Sequence, residues 1–195
     1  MKFIIRFVVL TCILSVSFSC TNSTETTEKE SQSTENTTPT LEEKIGQMLM
    51  IGFRGTNLTK VNHIYNDVKN LHIGGVVLYD FDLFSKGEIT RNIKNPKQVK
   101  TLCQALQELT DTKLLISIDQ EGGRVNRLKT TYGFPKVGVS AQYLGTLNNM
   151  DSTRYYADLT AKLLQDLGIN FNYAPVVDLN INSKSPAIGA IERSY

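Results

Sequence analysis

The stretch from Asn95 to Asp119, NPKQVKTLCQALQELTDTKLLISID, decides how the chain folds. Asn95 before Pro96 is a helix start: an Asn side chain accepts from a free backbone N–H, and proline at the first helical position has no N–H to lose. Val99, Leu102, Cys103, Leu106 and Leu109 then recur at the spacing that gathers them on one side of a helix, with Cys103 read as a small buried residue. Leu114 to Ile118 is apolar almost throughout and short, the pattern of a strand covered on both faces. It ends at an acid, Asp119.

The same grammar repeats on both sides. Upstream, Thr40 with Glu43 forms a capping box, and Met48 to Phe53 is an apolar strand ending at Gly55. Val61, Ile64, Tyr65, Val68 and Leu71 then make a second one-sided stripe, which stops at Gly74 and Gly75 before the strand Val76 to Tyr79. Downstream, Asp151 or Ser152 caps a helix carrying Tyr156, Leu159, Leu163 and Leu167; Gly168 ends it, and Ile169 to Ala174 and Pro175 to Leu179 follow as extended chain. Apolar strands alternating with one-sided helices predict a parallel sheet, because parallel neighbours need a crossover and the crossover helices bury the sheet. The class is α/β.

Within that class, Gly52-Phe53-Arg54-Gly55 after the first strand lacks both a dinucleotide-binding glycine pattern and a phosphate-loop Lys-Ser/Thr. This counts against a nucleotide-binding doubly wound sheet. Asp80, Asp119 and Asp178 each follow a strand, at the carboxyl ends where α/β proteins build their sites. A (β/α)8 TIM-type barrel takes about 250 residues, and four βα units are recognisable between Thr40 and Tyr195. The expected architecture is therefore the N-terminal half of such a barrel. A half barrel would leave two raw sheet edges and an open core, so the 195-residue chain alone is expected to be molten or aggregated.

Composition narrows the function classes. A hydrophobic share of 41% and a charged share of 21% suit a globular chain, and the formal net charge of +2 comes without a basic stripe, so no nucleic-acid partner is expected. Lys2 and Arg6 precede an apolar run from Phe7 to Val16, and Ser17-Phe18-Ser19 closes it as a small-x-small cleavage site. Residues 1–19 thus read as a signal peptide. Cys20 directly after this segment resembles the lipidated cysteine of a bacterial lipoprotein, which implies an exported protein anchored to an envelope membrane. Ordinary cleavage would instead give a periplasmic or secreted one. Residues 20–40 are mostly Ser, Thr, Glu, Asn and Gln without a large apolar side chain and read as a flexible tether, leaving 41–195 as the folded part.

The densest chemistry lies in Ile118-Asp-Gln-Glu-Gly-Gly-Arg-Val-Asn-Arg127. A strand ends at an acid, a Gly pair allows a tight turn, and two Arg leave on the loop. Asp accepts paired hydrogen bonds from sugar hydroxyls and Arg donates a fork to a carbonyl or carboxylate, which suits a polar ligand. An ion pair of Asp119 or Glu121 with Arg124 or Arg127 is the structural alternative. This loop resembles the signature of family 3 glycoside hydrolases, on the branch of β-N-acetylhexosaminidases. Gly168-Ile-Asn-Phe-Asn-Tyr-Ala-Pro-Val-Val-Asp178-Leu and Ile188-Gly-Ala-Ile-Glu-Arg-Ser-Tyr195 are similar to two further elements of that family, the latter with an extra stretch and with Tyr in place of Phe.

The resemblance implies a retaining glycoside hydrolase that removes terminal N-acetylglucosamine from peptidoglycan- or chitin-type fragments, with no cofactor and no metal. Asp119 would bind hydroxyls of the terminal sugar, and Arg127 and Arg193 would help hold it, while Glu121 and Arg124 would support the loop and Asp178 the strand end. The family's branch takes its acid/base from a His and its nucleophile from an Asp, both C-terminal to the Arg-Ser-Phe element, so no residue up to Tyr195 is assigned as catalytic. His63 and His72 are expected on a helix surface. The alternatives are a family 3 β-glucosidase and a non-catalytic, lipid-anchored sugar-binding protein.

Overall fold

A computed structural model describes residues 38–85 and 89–195. The segments expected as a signal peptide and as a tether up to Thr37, with Cys20 as the expected lipid anchor, lie outside the described residues. Thr38 to Tyr195 forms one unit.

Each strand is preceded by a helix, and every one of these helices except that before β2 has its start set by a capping side chain. Thr40 and Glu43 exchange the two hydrogen bonds of a capping box and open α1, Leu41–Gln47. Asn95 accepts from the Gln98 N–H to cap α3, Pro96–Gln107, with proline in its first turn. Between them α2, His63–Asn70, is shorter than its stripe predicted. Ile64 and Val68 are buried, whereas Val61 and Leu71 lie outside the helix and are exposed. The strands are β1, Met50–Gly52; β2, Gly75–Leu78; β3, Leu115–Ile118; and β4, Phe171–Asn172.

Two helices fill the connection between β3 and β4. The short α4, Ala141–Leu147, was not legible, and α5, Met150–Leu167, begins earlier than expected. Its cap is Asn149, whose side chain accepts from Ser152 N, so Asp151 and Ser152 lie inside the first turn. Gly168 ends α5 in the left-handed conformation at φ 82°. Pro175 to Leu179 is not a strand: β4 pairs Phe171 with Ser117 and Asn172 with Ile118, and β3 ends there, so the chain beyond has no neighbour to bond.

All four strands are parallel and stand in the order β1-β2-β3-β4. An order that never reverses has no switch point of the doubly wound kind, and crossovers of one hand then place every helix on the same face. The core lies on that face: Val76, Leu78, Ile116 and Ile118 pack with Val68, Val99, Leu102 and Leu106 in one buried cluster. On the opposite face, Met50 Sδ lies 3.2 Å from Ser117 Oγ and 2.7 Å from Tyr173 Oη. Neighbouring strands sit about 4.8 Å apart, so residues from the two outer strands meet only if the sheet curls. The fold is a partial (β/α)8 barrel wall of four strands, α/β as the sequence predicted.

Candidate functional site

The strand ends are organised by one buried amide. Gln120, directly after Asp119, is almost wholly buried, and its Oε1 accepts from the backbone N–H of both Arg127 and Leu128 at 3.1 Å. Its Nε2 donates to Asn126 Oδ1 at 2.8 Å. The loop that leaves β3 at Asp119 is thereby drawn back until Arg127 stands beside it. Asn172 of β4 fixes the other side, accepting from Gln120 N at 3.0 Å and donating to Gln120 O at 3.1 Å. The turn itself needs the glycine pair. Gly122 has φ +86°, and a Cβ there would come within 2.3 Å of Val139 O, so a side chain would push the 137–140 segment away.

Arg127 is the hub of the charges. Its Nη2 donates to Asp119 Oδ2 at 3.0 Å, its Nη1 to Asp80 Oδ1 at 3.4 Å, and its guanidinium lies over the Tyr79 ring. Its Nε is buried without a hydrogen-bond partner. Asp80, at the end of β2, has no side-chain exposure, and Lys129 Nζ reaches its other oxygen at 2.5 Å. A buried carboxylate is costly alone; here two cations share it. Asp119 and Arg127 keep 25% and 21% of their side chains open, so this pair faces solvent while Asp80 anchors it from below.

Arg193 comes from the far end of the chain. Its Nε and Nη2 donate to the two oxygens of Glu121 at 2.7 and 2.6 Å, a bidentate fork, and its Nη1 donates to Ala187 O at 2.9 Å. The hydrogen bonds to Glu121 raise the guanidinium pKa above its ordinary value against an opposing effect of burial, and the charges of Glu121, Asp178 and Asp119 add to the rise. Behind this fork, a cavity of about 340 Å³ opens between the loop and α5, lined by Glu121, Tyr156, Thr160, Leu164, Asn172 and Arg193 among others.

The structure therefore joins Asp119 and Arg127 directly and brings Arg193 within range of the Asp119 charge, with Glu121 as its bonded partner. Of the ion pairs left open by the sequence, Asp119 takes Arg127, while Glu121 takes Arg193 rather than Arg124 or Arg127. Arg124 is exposed and makes no hydrogen bond or ion pair among the described residues, so its side chain does not brace the loop. Asp178 is also exposed and acts on Arg193 through charge.

Sequence reasoning does not reach Gln120, Asn172 and Lys129, and it marks Asp80 only as a strand-end acid. The one available signal was the adjacency of Gln120 to Asp119. His63 opens α2 and His72 lies in the turn before β2; neither lines the cavity. Cys103 is buried in the core and its thiol is pushed up to about 12 by burial. Among the described residues no group of His, Cys, Asp and Glu is arranged to hold a metal ion.

Comparison with known proteins places this geometry. Residues 40–195 match the family model of the glycosyl hydrolase family 3 N-terminal domain. The beta-hexosaminidase of Pseudomonas aeruginosa (strain LESB58) is 30% identical over 142 residues, which cover 73% of this chain and 38% of that protein. Among solved structures, a glycoside hydrolase family 3 beta-N-acetylglucosaminidase from Paenibacillus sp. str. FPU-7 superposes with a TM-score of 0.66 at 33% identity, covering 76% of this chain and 26% of that one. NagZ from Neisseria gonorrhoeae, in complex with N-trifluoroacetyl-D-glucosamine, superposes with a TM-score of 0.53 at 27% identity, covering 67% of this chain and 36% of that one. The chain thus spans well under half the length of these relatives.

Proposed function

Because the chain belongs to glycosyl hydrolase family 3, whose N-terminal domain its residues 40–195 match, we propose that it holds a terminal N-acetylglucosamine unit at Asp119, Arg127 and Arg193, as part of a retaining hydrolase that removes that sugar from peptidoglycan- or chitin-type fragments. The observation that carries this reading is the solvent-facing Asp119–Arg127 pair at the carboxyl ends of parallel strands, held by Gln120 and backed by buried Asp80. The curated relative's name, beta-hexosaminidase, and the N-acylated glucosamine bound by the Neisseria protein support the choice of sugar.

The chemistry assigned to this chain is binding. Arg127 occupies Oδ2 of Asp119 and leaves Oδ1 to accept from a sugar hydroxyl. The two guanidinium groups donate to ring or acyl oxygens. Retaining hydrolysis also needs a nucleophile and an acid/base on opposite sides of the bond, and no residue described here is given either role. Titration with N-acetylglucosamine and with glucose tests the reading: the acetylated sugar is expected to bind roughly tenfold more tightly or better, and Asp119→Ala to abolish binding. Glucose binding as tight as N-acetylglucosamine would contradict it and turn the reading toward a glucosidase.

The N-terminal features support export followed by anchoring of the envelope protein through a lipid on Cys20, with residues 21–40 as the tether. Metabolic labelling with a palmitate analogue is expected to mark the protein and to fail for Cys20→Ser. Equal labelling of the variant would contradict the anchor.

A further inference from the structure

Tyr79 directly follows β2 and has no part in the function above, yet its place is closely fixed. Asn92, wholly buried, holds its backbone at both ends: Tyr79 N donates to Asn92 Oδ1 at 3.0 Å, and Asn92 N donates to Tyr79 O at 2.9 Å. The same Asn92 amide donates to Phe53 O and Gly55 O at 3.2 and 3.1 Å, which ties the chain leaving β2 to the chain leaving β1. The ring is seated as firmly. Arg91 lies over it with the guanidinium carbon 4.9 Å from the ring centre, and Arg91 is itself held, its Nε donating to Phe53 O at 2.8 Å and its backbone N–H to Asp80 O at 3.1 Å. Gly52 leaves room for both: a Cβ there would come within 2.8 Å of Arg91 Nη2 and 3.7 Å of the Tyr79 ring.

On this seat rests Arg127, its guanidinium carbon 5.5 Å from the ring centre. The two carboxylates hold Arg127 only by its tips, Nη2 on Asp119 and Nη1 on Asp80, and its buried Nε has no hydrogen-bond partner. A plane pinned at two points can still swing about the line joining them. A third contact, off that line, is needed to set the tilt. The Tyr79 ring supplies it, because the negative face of an aromatic ring attracts a cation without a directed hydrogen bond. The ring is half-buried, so water screens this attraction only in part.

We propose that Tyr79 is a positioning residue for Arg127: its ring face sets the tilt at which the guanidinium meets Asp119 and turns its remaining donors to the ligand. The positioning itself needs no ligand, whereas its effect on affinity rests on the amino-sugar reading.

With this chain carried in a complete barrel, position 79 is varied so that the ring stays while its π charge changes: Tyr79→Phe, then phenylalanines bearing one, two and three ring fluorines, with Tyr79→Leu as the variant without a ring. One readout is the Nε–H proton resonance of Arg127, assigned by its loss in Arg127→Lys; the other is titration with N-acetylglucosamine. The resonance is expected upfield, under the ring current, in the unaltered protein and in Tyr79→Phe, and to return to the ordinary arginine range in Tyr79→Leu. Affinity is expected to stay within about twofold in Tyr79→Phe, to fall stepwise by about two- to fivefold across the fluorinated series, and to fall roughly three- to tenfold in Tyr79→Leu, as the loss of a cation–ring contact requires. The fluorinated rings keep the packing, so they decide the matter even where Tyr79→Leu loosens the fold. A Tyr79→Phe variant as weak as Tyr79→Leu would assign the effect to the hydroxyl and overturn the proposal. Affinities indifferent to fluorine, or an Arg127 resonance unmoved by Tyr79→Leu, would overturn it too. If the unaltered protein binds no N-acetylglucosamine, the amino-sugar reading fails, and the resonance alone decides for or against the positioning.

Discussion

Gln120 is assigned no contact with the ligand, yet its side chain holds the backbone of Arg127, which is. Its amide satisfies two backbone N–H groups, those of Arg127 and Leu128, at a point where Leu128 is buried and water cannot replace the bond. Gln120→Ala would leave both donors unpaired, at roughly 1–3 kcal/mol each. With this chain carried in a complete barrel, the variant is expected to lose about 2–4 kcal/mol in denaturant unfolding and to bind N-acetylglucosamine weakly because Arg127 no longer faces Asp119. A fully stable variant would show that the loop has another support. Asp119 and Arg127 were legible because strand, turn and Arg lie within one short segment. Gln120 was not, because an amide in a loop carries no period and its role depends on the path the loop takes. Arg193 was legible only as a member of a motif; its partner Glu121 lies 72 residues away, and nothing local specifies that pairing.

At the scale of elements, the caps and the stripes determined what could be read. The capping box at Thr40 and the Asn95-Pro96 start are complete local signals, and both helices begin where expected. The start of α5 was misplaced because Asn148, Asn149, Asp151 and Ser152 are all capping residues, and only the geometry shows which side chain accepts from the third N–H. Loops between elements are clamped by ions that no pattern announces. Arg54, after β1, donates to Asp82 in the loop after β2, and Phe84 N donates to the same carboxylate.

The Arg54 bond first, and the Phe84 N–H second, hold the Asp82 carboxyl below its ordinary range. A carboxyl depressed in the folded state stabilises the fold above its unfolded pKa and loses that contribution as pH falls through the folded value. With this chain carried in a complete barrel, Asp82→Asn is therefore expected to melt below the unaltered protein at pH 7 and to close most of that gap by pH 2. A gap independent of pH would show that the clamp is not electrostatic.

At the scale of the molecule, the alternation of one-sided helices with buried strands was enough to give a parallel sheet, and the absence of a glycine phosphate loop was enough to favour a barrel wall over a doubly wound sheet. The sequential strand order confirms it. What could not be read was how the two faces differ. The helix side buries a continuous core, whereas on the other face Leu115, Phe171 and Tyr173 remain 39–45% exposed. The same apolar strand pattern serves both cases, because the sequence of a strand does not say which neighbours cover it.

The account turns on Asp119, Arg127 and Arg193 meeting one amino sugar, and a crystal structure of the protein soaked with N-acetylglucosamine tests this most directly. The sugar is expected with a hydroxyl within hydrogen-bond distance of Asp119 Oδ1 and oxygens within reach of both guanidinium groups. A sugar bound elsewhere, or seated on Arg193 alone with Asp119 and Arg127 still closed on each other, would contradict it.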